Sequence, residues 1–333
     1  MKTPHTSCAA SNAAGKSATE DSLPVDSLPQ EPQQVETQVV ATTRFEGSAV
    51  RDFEDVLAVE EPLEIHVSVL ARADQSCAPS SASQSDSVQF SSVQSVAVTM
   101  RTPGADKELA AGFLFTEGII SRPEQIEEIS NDKCNVVIVA LKVGVELDAK
   151  LFERHSFVAS SCGVCGKKSI AAVKVKRHYQ TSSGQPVVSA QTIDGLAVTM
   201  RKAQSAFDST GGIHASALFD SQGDLLVLRE DVGRHNALDK VLGSQFLQDK
   251  LPLDDTILMV SGRASFELVQ KASHAGIPIL VAVGAPSSLA VSLAQECSMT
   301  LIGFARDGRF NIYSGAERIV TSDLTEGKRC KQN

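Results

Sequence analysis

The chain has 333 residues, of which 42% are hydrophobic and 21% charged, so it holds apolar material for one large or two modest cores. Its 31 Lys and Arg against 40 Asp and Glu leave a formal net charge of −9, which excludes a global basic field that would collect nucleic acid or anionic lipid. Proline, glycine and serine interrupt the most apolar stretch, 277–291, and exclude a membrane span of ~20 apolar residues. We therefore expect neither a nucleic-acid nor a membrane partner.

The N-terminal segment is predicted to be a tail. The first forty residues contain no aromatic side chain, four prolines and many Ser, Thr and Gln, so they bury too little apolar surface to offset the entropy of ordering. We assign 1–45 to this disordered tail. It lacks the apolar core of a secretory signal, and the seven cysteines of the chain are odd in number and scattered, so a reducing, cytoplasmic address is expected.

The next segment, 46–160, is predicted to be a small α+β domain. Alternating apolar residues indicate a strand at 63–70, a second strand follows at 96–100, and a serine-rich loop insert, 71–95, connects them. Apolar residues at three-to-four spacing predict a helix over 106–120, with Gly118 near its end. The β-branched run 136–141 indicates a buried strand.

The C-terminal half, 168–322, is predicted to be an α/β domain, and a short tail is predicted at 323–333. Strands are predicted at 256–260, 279–283 and 299–304, and helices at 264–275 and 287–297. This βαβαβ order calls for a parallel sheet covered by helices, in which ligands bind outside the carboxyl ends of the strands.

Both strand-to-helix junctions of this sheet carry glycine and serine. Ser261, Gly262 and Arg263 follow the first strand, and Ser287 follows the second after a glycine turn. One interpretation is that these are simply good helix-capping residues. The other is an anion site, because glycine permits close backbone approach, helix amides point outward and Arg263 adds a guanidinium fork. Two such junctions on one sheet edge favour the anion site.

The candidate reactive residues are the two cysteines of a C-x-x-C pair, Cys162 and Cys165. They lie in a glycine- and serine-rich loop that is followed by two lysines. We predict that 161–167 is a mobile loop whose nearby ammonium groups and amides favour the thiolate. One interpretation is structural: the two thiols merely lie close together. The functional interpretations are a zinc site, the active site of a dithiol oxidoreductase and a sulfur-transfer site.

Sulfur transfer fits the surroundings of the pair best. A zinc module needs a second pair of ligands, and no other C-x-x-C or H-x-x-x-H occurs, so no metal site is predicted. A thioredoxin-like oxidoreductase places its pair at a strand-to-helix turn of a small domain, whereas this pair lies between two predicted domains. A flexible segment with one thiolate and one resolving thiol suits a persulfide carrier.

Ordered blocks along most of the chain carry a family resemblance; they are 61–65, 102–104, 111–120, 161–166, 210–215, 229–240, 261–267 and 285–290. The chain resembles the FdhD-type sulfur carrier proteins, accessory factors of formate dehydrogenase. The resemblance implies that Cys162 receives sulfur as a persulfide from a cysteine desulfurase and that Cys165 is an auxiliary thiol. It implies that the sulfur goes to the molybdenum cofactor, Mo-bis(molybdopterin guanine dinucleotide), which is bound as cargo. It also implies a homodimer and a larger domain similar to cytidine deaminases.

The same resemblance assigns cofactor binding to the segment that contains Phe304, Ala305, Arg306, Asp307, Gly308 and Arg309. From the residues alone, this is a strand end with two arginines around a glycine turn, which suits either a grip on pyrophosphate or guanine or a solvated basic hairpin. His214 and His235 are further candidates for the pocket of this guanine-nucleotide-type cofactor. Deaminase chemistry is not expected, because His214 is followed by Ala215 and Ser216 and the H-x-E signature is missing.

Overall fold

The structure, a computed structural model, describes residues 36–72, 88–145, 178–180 and 184–321. The described residues all fall in one unit of tertiary contacts, Gln34–Asn333. Cys162 and Cys165 lie outside the described residues, as do 1–35 and the predicted C-terminal tail. The predicted domain boundaries at 160 and 168 also fall outside them and stay predictions.

An N-terminal hairpin corrects the predicted extent of the tail. Strand β1 (Thr37–Glu46) pairs antiparallel with β2 (Ala49–Ala58), and Gly47 adopts a left-handed φ of 65° in the turn between them. The prediction that 1–45 is disordered is therefore wrong from residue 37 onward. The strands escaped prediction because they are mostly exposed, so no apolar alternation marks them.

A four-stranded sheet forms the N-terminal part, with β3 (Glu61–Arg72), β4 (Val88–Arg101), β5 (Ile126–Lys133) and β6 (Val136–Leu141) in the order β4-β3-β6-β5. The predicted strands 63–70, 96–100 and 136–141 are confirmed. The serine-rich insert is shorter than predicted, because β3 extends to residue 72 and β4 begins at residue 88. Antiparallel pairing along both strands supplies the hydrogen bonds that a long loop would lack.

Helix α1 (Asp106–Thr116) packs on this sheet and ends earlier than predicted. Gly118 has a φ of 74°, and its amide donates to the carbonyl of Phe115 at 2.9 Å. A left-handed glycine of this kind ends a helix, so the apolar residues at 119–120 continue the hydrophobic core without continuing the helix.

The C-terminal part contains a six-stranded sheet with the order β13-β12-β11-β10-β8-β9. Its strands are β8 (His214–Phe219), β9 (Leu225–Asp231), β10 (Ile257–Val260), β11 (Ile279–Ala282), β12 (Thr300–Arg306) and β13 (Arg309–Ser314). Strands β10, β11 and β12 are parallel, which confirms the predicted βαβαβ order. Two short strands, β7 (Val188–Ser189) and β14 (Ile319–Val320), form a separate parallel pair. The predicted α/β and α+β class is confirmed as a mixed α/β fold, and likeness to cytidine deaminases stays a prediction.

Helices cover both faces of the six-stranded sheet. They are α2 (Ala190–Ala203), α3 (Ser205–Thr210), α4 (Arg234–Leu247), α5 (Phe266–His274) and α6 (Ser288–Glu296). Alternate residues of β10 enter different cores: Ile257 and Met259 pack with α2, and Leu258 and Val260 pack with α4 and α5. The second of these cores continues into the four-stranded sheet. None of the helices in the described ranges has the length and apolar character that crossing a membrane requires.

Two glycines let α1 and α4 cross in contact. A Cβ at Gly112 would lie 1.9 Å from the carbonyl oxygen of Asp239, and a Cβ at Gly243 would lie 1.8 Å from that of Glu108. No side chain fits at either position. This crossing joins the helix of the four-stranded sheet to a helix of the six-stranded sheet.

Candidate functional site at the carboxyl ends of the parallel strands

Three loops meet where β10, β11 and β12 end. The amide of Gly284, after β11, donates to the carbonyl of Gly262, after β10, at 2.9 Å. The amide of Phe304, in β12, donates to the carbonyl of Gly284 at 3.1 Å. A Cβ at Gly284 would lie 3.0 Å from Cγ of Arg263, so glycine allows these loops to approach. The predicted residues of the first junction and Phe304 therefore lie on one edge.

The second junction begins α6 as predicted. Ser287 is the N-cap residue, and its Oγ accepts a hydrogen bond from the amide of Ala290 at 3.2 Å. Its own amide donates to the carbonyl of Ala264 at 3.0 Å, which holds the second junction against the first. The serine thus caps its helix and also joins the two junctions.

The first junction differs from the prediction that serine caps its helix. Ser265 occupies the N-cap position of α5, but its hydroxyl makes no capping hydrogen bond. That hydroxyl instead hydrogen-bonds to the carboxylate of Glu267 and lies 3.5 Å from Nε2 of His235. The hydroxyl donates to a charged carboxylate, and this charge-assisted hydrogen bond is stronger than the neutral one that the serine oxygen would accept from a helix amide, which explains the difference.

His235 and Glu267 form a pair beside this junction. His235, in the first turn of α4, places Nε2 3.6 Å from Oε2 of Glu267, and both side chains are nearly buried. The hydrogen bond from His235 is the main cause that lowers the pKa of Glu267 to about 2. Glu267 is therefore a charged carboxylate at neutral pH, directed at a predicted site histidine.

His214 occupies a different electrostatic environment at the start of β8. Burial lowers the pKa of His214, and the positive charges of Arg234 and His235 lower it further. The imidazole is therefore neutral at neutral pH and offers one donor and one acceptor. Its ring lies 3.4 Å from the point where a Cβ of Gly262 would stand. His214 thus contacts the first junction.

A buried carboxylate fixes the start of α4 behind the histidines. Oδ1 of Asp231 accepts from the amide of Gly233 at 2.8 Å and from Nδ2 of Asn236 at 3.1 Å. Oδ2 accepts from Nζ of Lys240 at 2.8 Å and from the amide of Thr102 at 3.2 Å. Lys240 also donates to the carbonyl of Thr102. This network ties the loop after β4 to α4 and holds the first turn that carries His235.

The hairpin between β12 and β13 carries the predicted arginines. Arg306 and Arg309 pair across the turn and are exposed, and Asp307 and Gly308 between them have left-handed φ values of 56° and 72°. Ala305 is only 3% exposed and its side chain belongs to a core cluster, so it presents no side chain at the surface. Arg306 follows Phe304 by two residues, at the strand end that faces the two junctions.

Most predicted site residues in the described ranges converge on this edge. The contacts above link Gly262, Arg263, Phe304, Ser287, His214 and His235 into one set of neighbouring loops, and Ser261 precedes Gly262 in the first of them. Cys162 and Cys165, predicted to carry the reactive thiols, are not among the described residues. Sequence reasoning gave no role to Glu267, although it follows Ser265 by two residues in the first turn of a predicted helix. In the described part of the chain, no group of three His, Cys, Asp or Glu side chains is placed to hold a metal ion.

The described residues that flank the C-x-x-C segment lie away from this edge. Tyr179 packs against the core, and its Cβ lies 3.2 Å from the point where a Cβ of Gly276 would stand. Gly276 follows the C-terminal end of α5, whereas the candidate site adjoins the N-terminal end. The nine residues of α5 separate the two ends by about 13 Å.

The fold and the site define a class: a mixed α/β protein in which glycine- and serine-containing loops, arginines and two histidines meet at the ends of the parallel strands. Comparison with solved structures finds the same fold in a formate dehydrogenase accessory protein from Desulfotalea psychrophila. The two share 22% sequence identity at a TM-score of 0.64, over 86% of this chain and 100% of that one.

Sequence comparisons identify the family. The FdhD/NarQ family profile matches residues 88–320, and the chain belongs to this family. Relatives named sulfur carrier protein FdhD include one from Mycolicibacterium paratuberculosis, 47% identical over 80% of this chain and 92% of its own length. Another, from Saccharolobus solfataricus, is 39% identical over 84% of this chain and 99% of its own length.

Proposed function

We propose that the chain is a sulfur carrier for formate dehydrogenase. It receives sulfur from a cysteine desulfurase as a persulfide on Cys162 and passes it to Mo-bis(molybdopterin guanine dinucleotide) before this cargo enters the dehydrogenase. The observation that carries the proposal is the match to proteins named sulfur carriers at 39–47% identity over at least 80% of the chain. The matched family span, 88–320, includes the C-x-x-C pair.

Loading moves one sulfur atom between thiols. The thiolate of Cys162 attacks the terminal sulfur of the donor's persulfide, a new S–S bond forms on Cys162 and the donor's S–S bond breaks. The donor cysteine leaves as a thiolate, so electrons balance without an added oxidant. The two lysines after the pair, Lys167 and Lys168, favour the thiolate form of Cys162.

Release needs a second thiol. The thiolate of Cys165 attacks the inner sulfur of the Cys162 persulfide, which breaks the S–S bond to the terminal sulfur and frees that atom as sulfide for the cargo. A disulfide between the two cysteines remains. A dithiol reductant must supply two electrons to reduce it before the next cycle.

The strand-end site suits an anionic cargo. Arg263, Arg306 and Arg309 supply guanidinium groups for phosphate, and the first turn of α6 presents backbone amides beside them. The neutral imidazole of His214 adds a donor and an acceptor for a polar group of the cargo. These features support binding of a dinucleotide pyrophosphate at this edge.

The chain length permits Cys162 to reach this edge. Fifteen residues lie between Cys162 and His178, and an extended chain spans at most ~3.3–3.6 Å per residue, or roughly 50 Å. This limit is several times the length of α5, which separates Tyr179 from the candidate site. The chain between Cys162 and His178 is therefore long enough for the thiol to reach the candidate site.

Complementation of a host strain that lacks its own carrier tests the proposal. Wild-type protein should restore formate oxidation, and Cys162→Ser should not. Cys297→Ser is the matched control, because this buried cysteine lies in the core and has no place in the transfer. Full restoration of formate oxidation by Cys162→Ser would contradict the proposal.

A further inference from the structure

The N-terminal hairpin presents one face on which exposed apolar and acidic side chains occur together. Antiparallel pairing of β1 with β2 puts directly opposed residues, such as Phe45 and Val50, on the same face of the ribbon. By this register, one face carries three exposed apolar and two exposed acidic side chains: Val39, Phe45, Val50, Asp52 and Glu54. We call these five residues the acidic face of the hairpin.

The apolar members of the acidic face remain open to solvent in the folded chain. Phe45 is 72% exposed, Val39 61% and Val50 57%. A two-stranded ribbon is only marginally stable in water on its own, and large apolar side chains that line up on one exposed face are typical of a protein interaction site. Phe45 is suited to anchor such a contact, because its ring buries a large apolar area.

The charges of the acidic face are not balanced within the hairpin. Asp52 and Glu54 lie on this face, whereas the arginines of the hairpin, Arg44 and Arg51, lie on the opposite one. There Arg51 forms an ion pair with Glu46, and the guanidinium of Arg44 lies over a phenylalanine ring. The acidic face therefore presents negative charge, and a surface that binds it must supply positive charge.

A second copy of this chain is a poor occupant of the acidic face. Symmetric contact between two copies sets the same surface against itself. Asp52 and Glu54 are opposed to Thr43 and Ala41 near the middle of the two strands, so the carboxylates of one copy would meet those of the other. The net charge of −9 adds a general repulsion between copies. The occupant is therefore a different protein with a basic surface.

The root of the hairpin lies beside the candidate site. The carbonyl of Glu36, which precedes β1, accepts from the amide of Val59, which follows β2, at 2.8 Å. Oε1 of Glu36 lies 3.3 Å from the point where a Cβ of Gly104 would stand. Gly104 belongs to the loop after β4, and the same loop donates to Asp231, the carboxylate that fixes the first turn of α4.

Helix α1 begins in this loop and leads away from it. Its 11 residues span about 16 Å. Near its far end, the ring centroid of Phe115 lies 6.4 Å from that of His178, the first described residue after the C-x-x-C segment. The hairpin is therefore attached beside the edge proposed for the cargo, and not where the thiol segment ends. This position favours the protein that takes up the cargo over the one that supplies the sulfur.

The acceptor of an anionic cargo has the chemistry that the acidic face requires. A dinucleotide cargo carries several phosphate charges. A protein that admits such a ligand benefits from positive charge around its entrance, because this charge raises the local concentration of the anion and speeds its entry. A basic rim of this kind is complementary to Asp52 and Glu54.

We propose that the acidic face docks the apo form of formate dehydrogenase, at the basic entrance that receives the cargo. The carboxylates of Asp52 and Glu54 pair with cations at the rim of this entrance, and Phe45 is the apolar anchor of the contact. Docking at this face holds the entrance beside the strand-end site, so the cargo passes between the two proteins over a short distance. The inference rests on the proposed function, which supplies the acceptor.

Binding of the full chain to purified apo-formate dehydrogenase, measured by biolayer interferometry, tests the docking face. Asp52→Lys/Glu54→Lys should weaken binding by at least about tenfold, because two attractions become repulsions. Phe45→Ser should weaken binding by about the same factor through loss of the anchor. Raising NaCl from about 0.05 M to about 0.3 M should weaken binding of the wild type more than binding of the charge-reversed variant.

Asp55→Lys is the matched control for Asp52→Lys. Both exposed residues belong to β2 and both substitutions change the net charge equally, but Asp55 lies on the opposite face of the ribbon. We expect weaker binding only for Asp52→Lys. Because all of these positions are exposed, the Tm of each variant should stay within about 2 °C of that of wild type, which separates docking from folding.

Several results would each overturn the inference. They are an absence of binding between the wild type and the dehydrogenase, wild-type affinity in both Asp52→Lys/Glu54→Lys and Phe45→Ser, and equal losses in Asp52→Lys and Asp55→Lys. A change in the molar mass of the chain in these variants, measured by light scattering, would identify a second copy as the occupant. Weaker binding to a cysteine desulfurase with unchanged binding to the dehydrogenase would assign the face to the sulfur donor.

The proposed function is tested apart from this surface. Full formate oxidation in the Cys162→Ser strain would contradict the proposed function. Wild-type binding by the hairpin variants, together with loss of formate oxidation in the Cys162→Ser strain, would remove only the docking face and leave the sulfur carrier standing.

Discussion

The two site histidines, His214 and His235, have different electrostatic surroundings. His214 is half-buried near the positive charge of Arg234, and its pKa is lowered, so it serves as a neutral donor and acceptor. His235 lies against Glu267, whose pKa is lowered to about 2 chiefly by the hydrogen bond between them. One edge thus presents a neutral imidazole and a second imidazole paired with a carboxylate.

Glu267→Gln should flatten the acid dependence of stability. The pKa of Glu267 is lower in the folded state than its ordinary value of 4.5, so its stabilisation is present above pH 4.5 and is lost as pH falls toward 2. Between pH 6 and pH 3 the wild type should lose on the order of 2 kcal/mol more unfolding free energy than the variant. Urea unfolding at pH 6, 4.5 and 3 measures this difference.

The exposed Glu54 of β2 provides the control for this experiment. Glu54→Gln should retain the wild-type dependence of unfolding free energy on pH, because an exposed carboxylate gains little from folding. Parallel curves for wild type and Glu267→Gln would show that the contact between Glu267 and His235 does not stabilise the fold.

At the scale of elements, a buried ion pair joins three helices. Nζ of Lys271 in α5 lies 2.9 Å from Oδ2 of Asp239 in α4 and donates to Oγ1 of Thr116 in α1 at 2.8 Å. Burial would lower the pKa of Lys271, but the charges of Asp239 and Glu117 outweigh it and raise that pKa. The lysine is therefore charged, and its removal leaves two carboxylates without their cation.

Lys271→Met should cost about 3–5 kcal/mol of unfolding free energy, since it leaves the carboxyl group of Asp239, whose pKa burial raises, without its cation. The double variant Asp239→Leu/Lys271→Met should lose clearly less than the sum of the two single variants, because no unpaired member of the pair remains. Chemical denaturation of all four proteins gives the coupling energy. Strict additivity would mean that the two residues do not act as a pair.

The N-cap of α6 can be tested independently. Ser287→Ala removes the acceptor for the amide of Ala290 and should lower the unfolding free energy by about 1 kcal/mol. Ser288→Ala is the control, because this neighbouring exposed serine begins the helix without capping it. Equal changes in Tm for the two variants would refute a capping role for Ser287.

Sequence patterns predicted the elements whose burial follows a simple period. Strands β10, β11 and β12 are continuous apolar runs, and their parallel order follows from the helices between them. Helix α4 was not predicted, because its buried residues include Asp239 and Lys240, whose ion pairs interrupt the apolar pattern of the helix. The N-terminal hairpin was missed for the opposite reason: it is mostly exposed.

Part of the candidate site could likewise be predicted from the sequence, and part could not. Glycine and serine at the two junctions indicated the edge, because those residue types have local roles in turns and helix starts. The pairing of Glu267 with His235 depends on packing between residues far apart in the chain, which one sequence does not display.

At the scale of the molecule, the close crossing of α1 and α4 connects the two large sheets. Gly243→Ala places a methyl group on the carbonyl of Glu108 and should force the helices apart, with a loss of at least about 3 kcal/mol. Gly195→Ala in α2 is the matched control: no atom lies within 4 Å of its added Cβ, so it should raise stability by about 0.5–1 kcal/mol. Differential scanning calorimetry compares the two, and equal Tm values would contradict a close-packed crossing.

The central claim is that a single thiol of this molecule carries sulfur, and mass spectrometry tests it most directly. The full chain is incubated with a cysteine desulfurase and cysteine, then digested and mapped. The account predicts an adduct of about 32 Da, one sulfur atom, on Cys162 that a dithiol reductant removes and that Cys162→Ser lacks. An adduct of the same yield in Cys162→Ser, or sulfur mapped only to another cysteine, would contradict it.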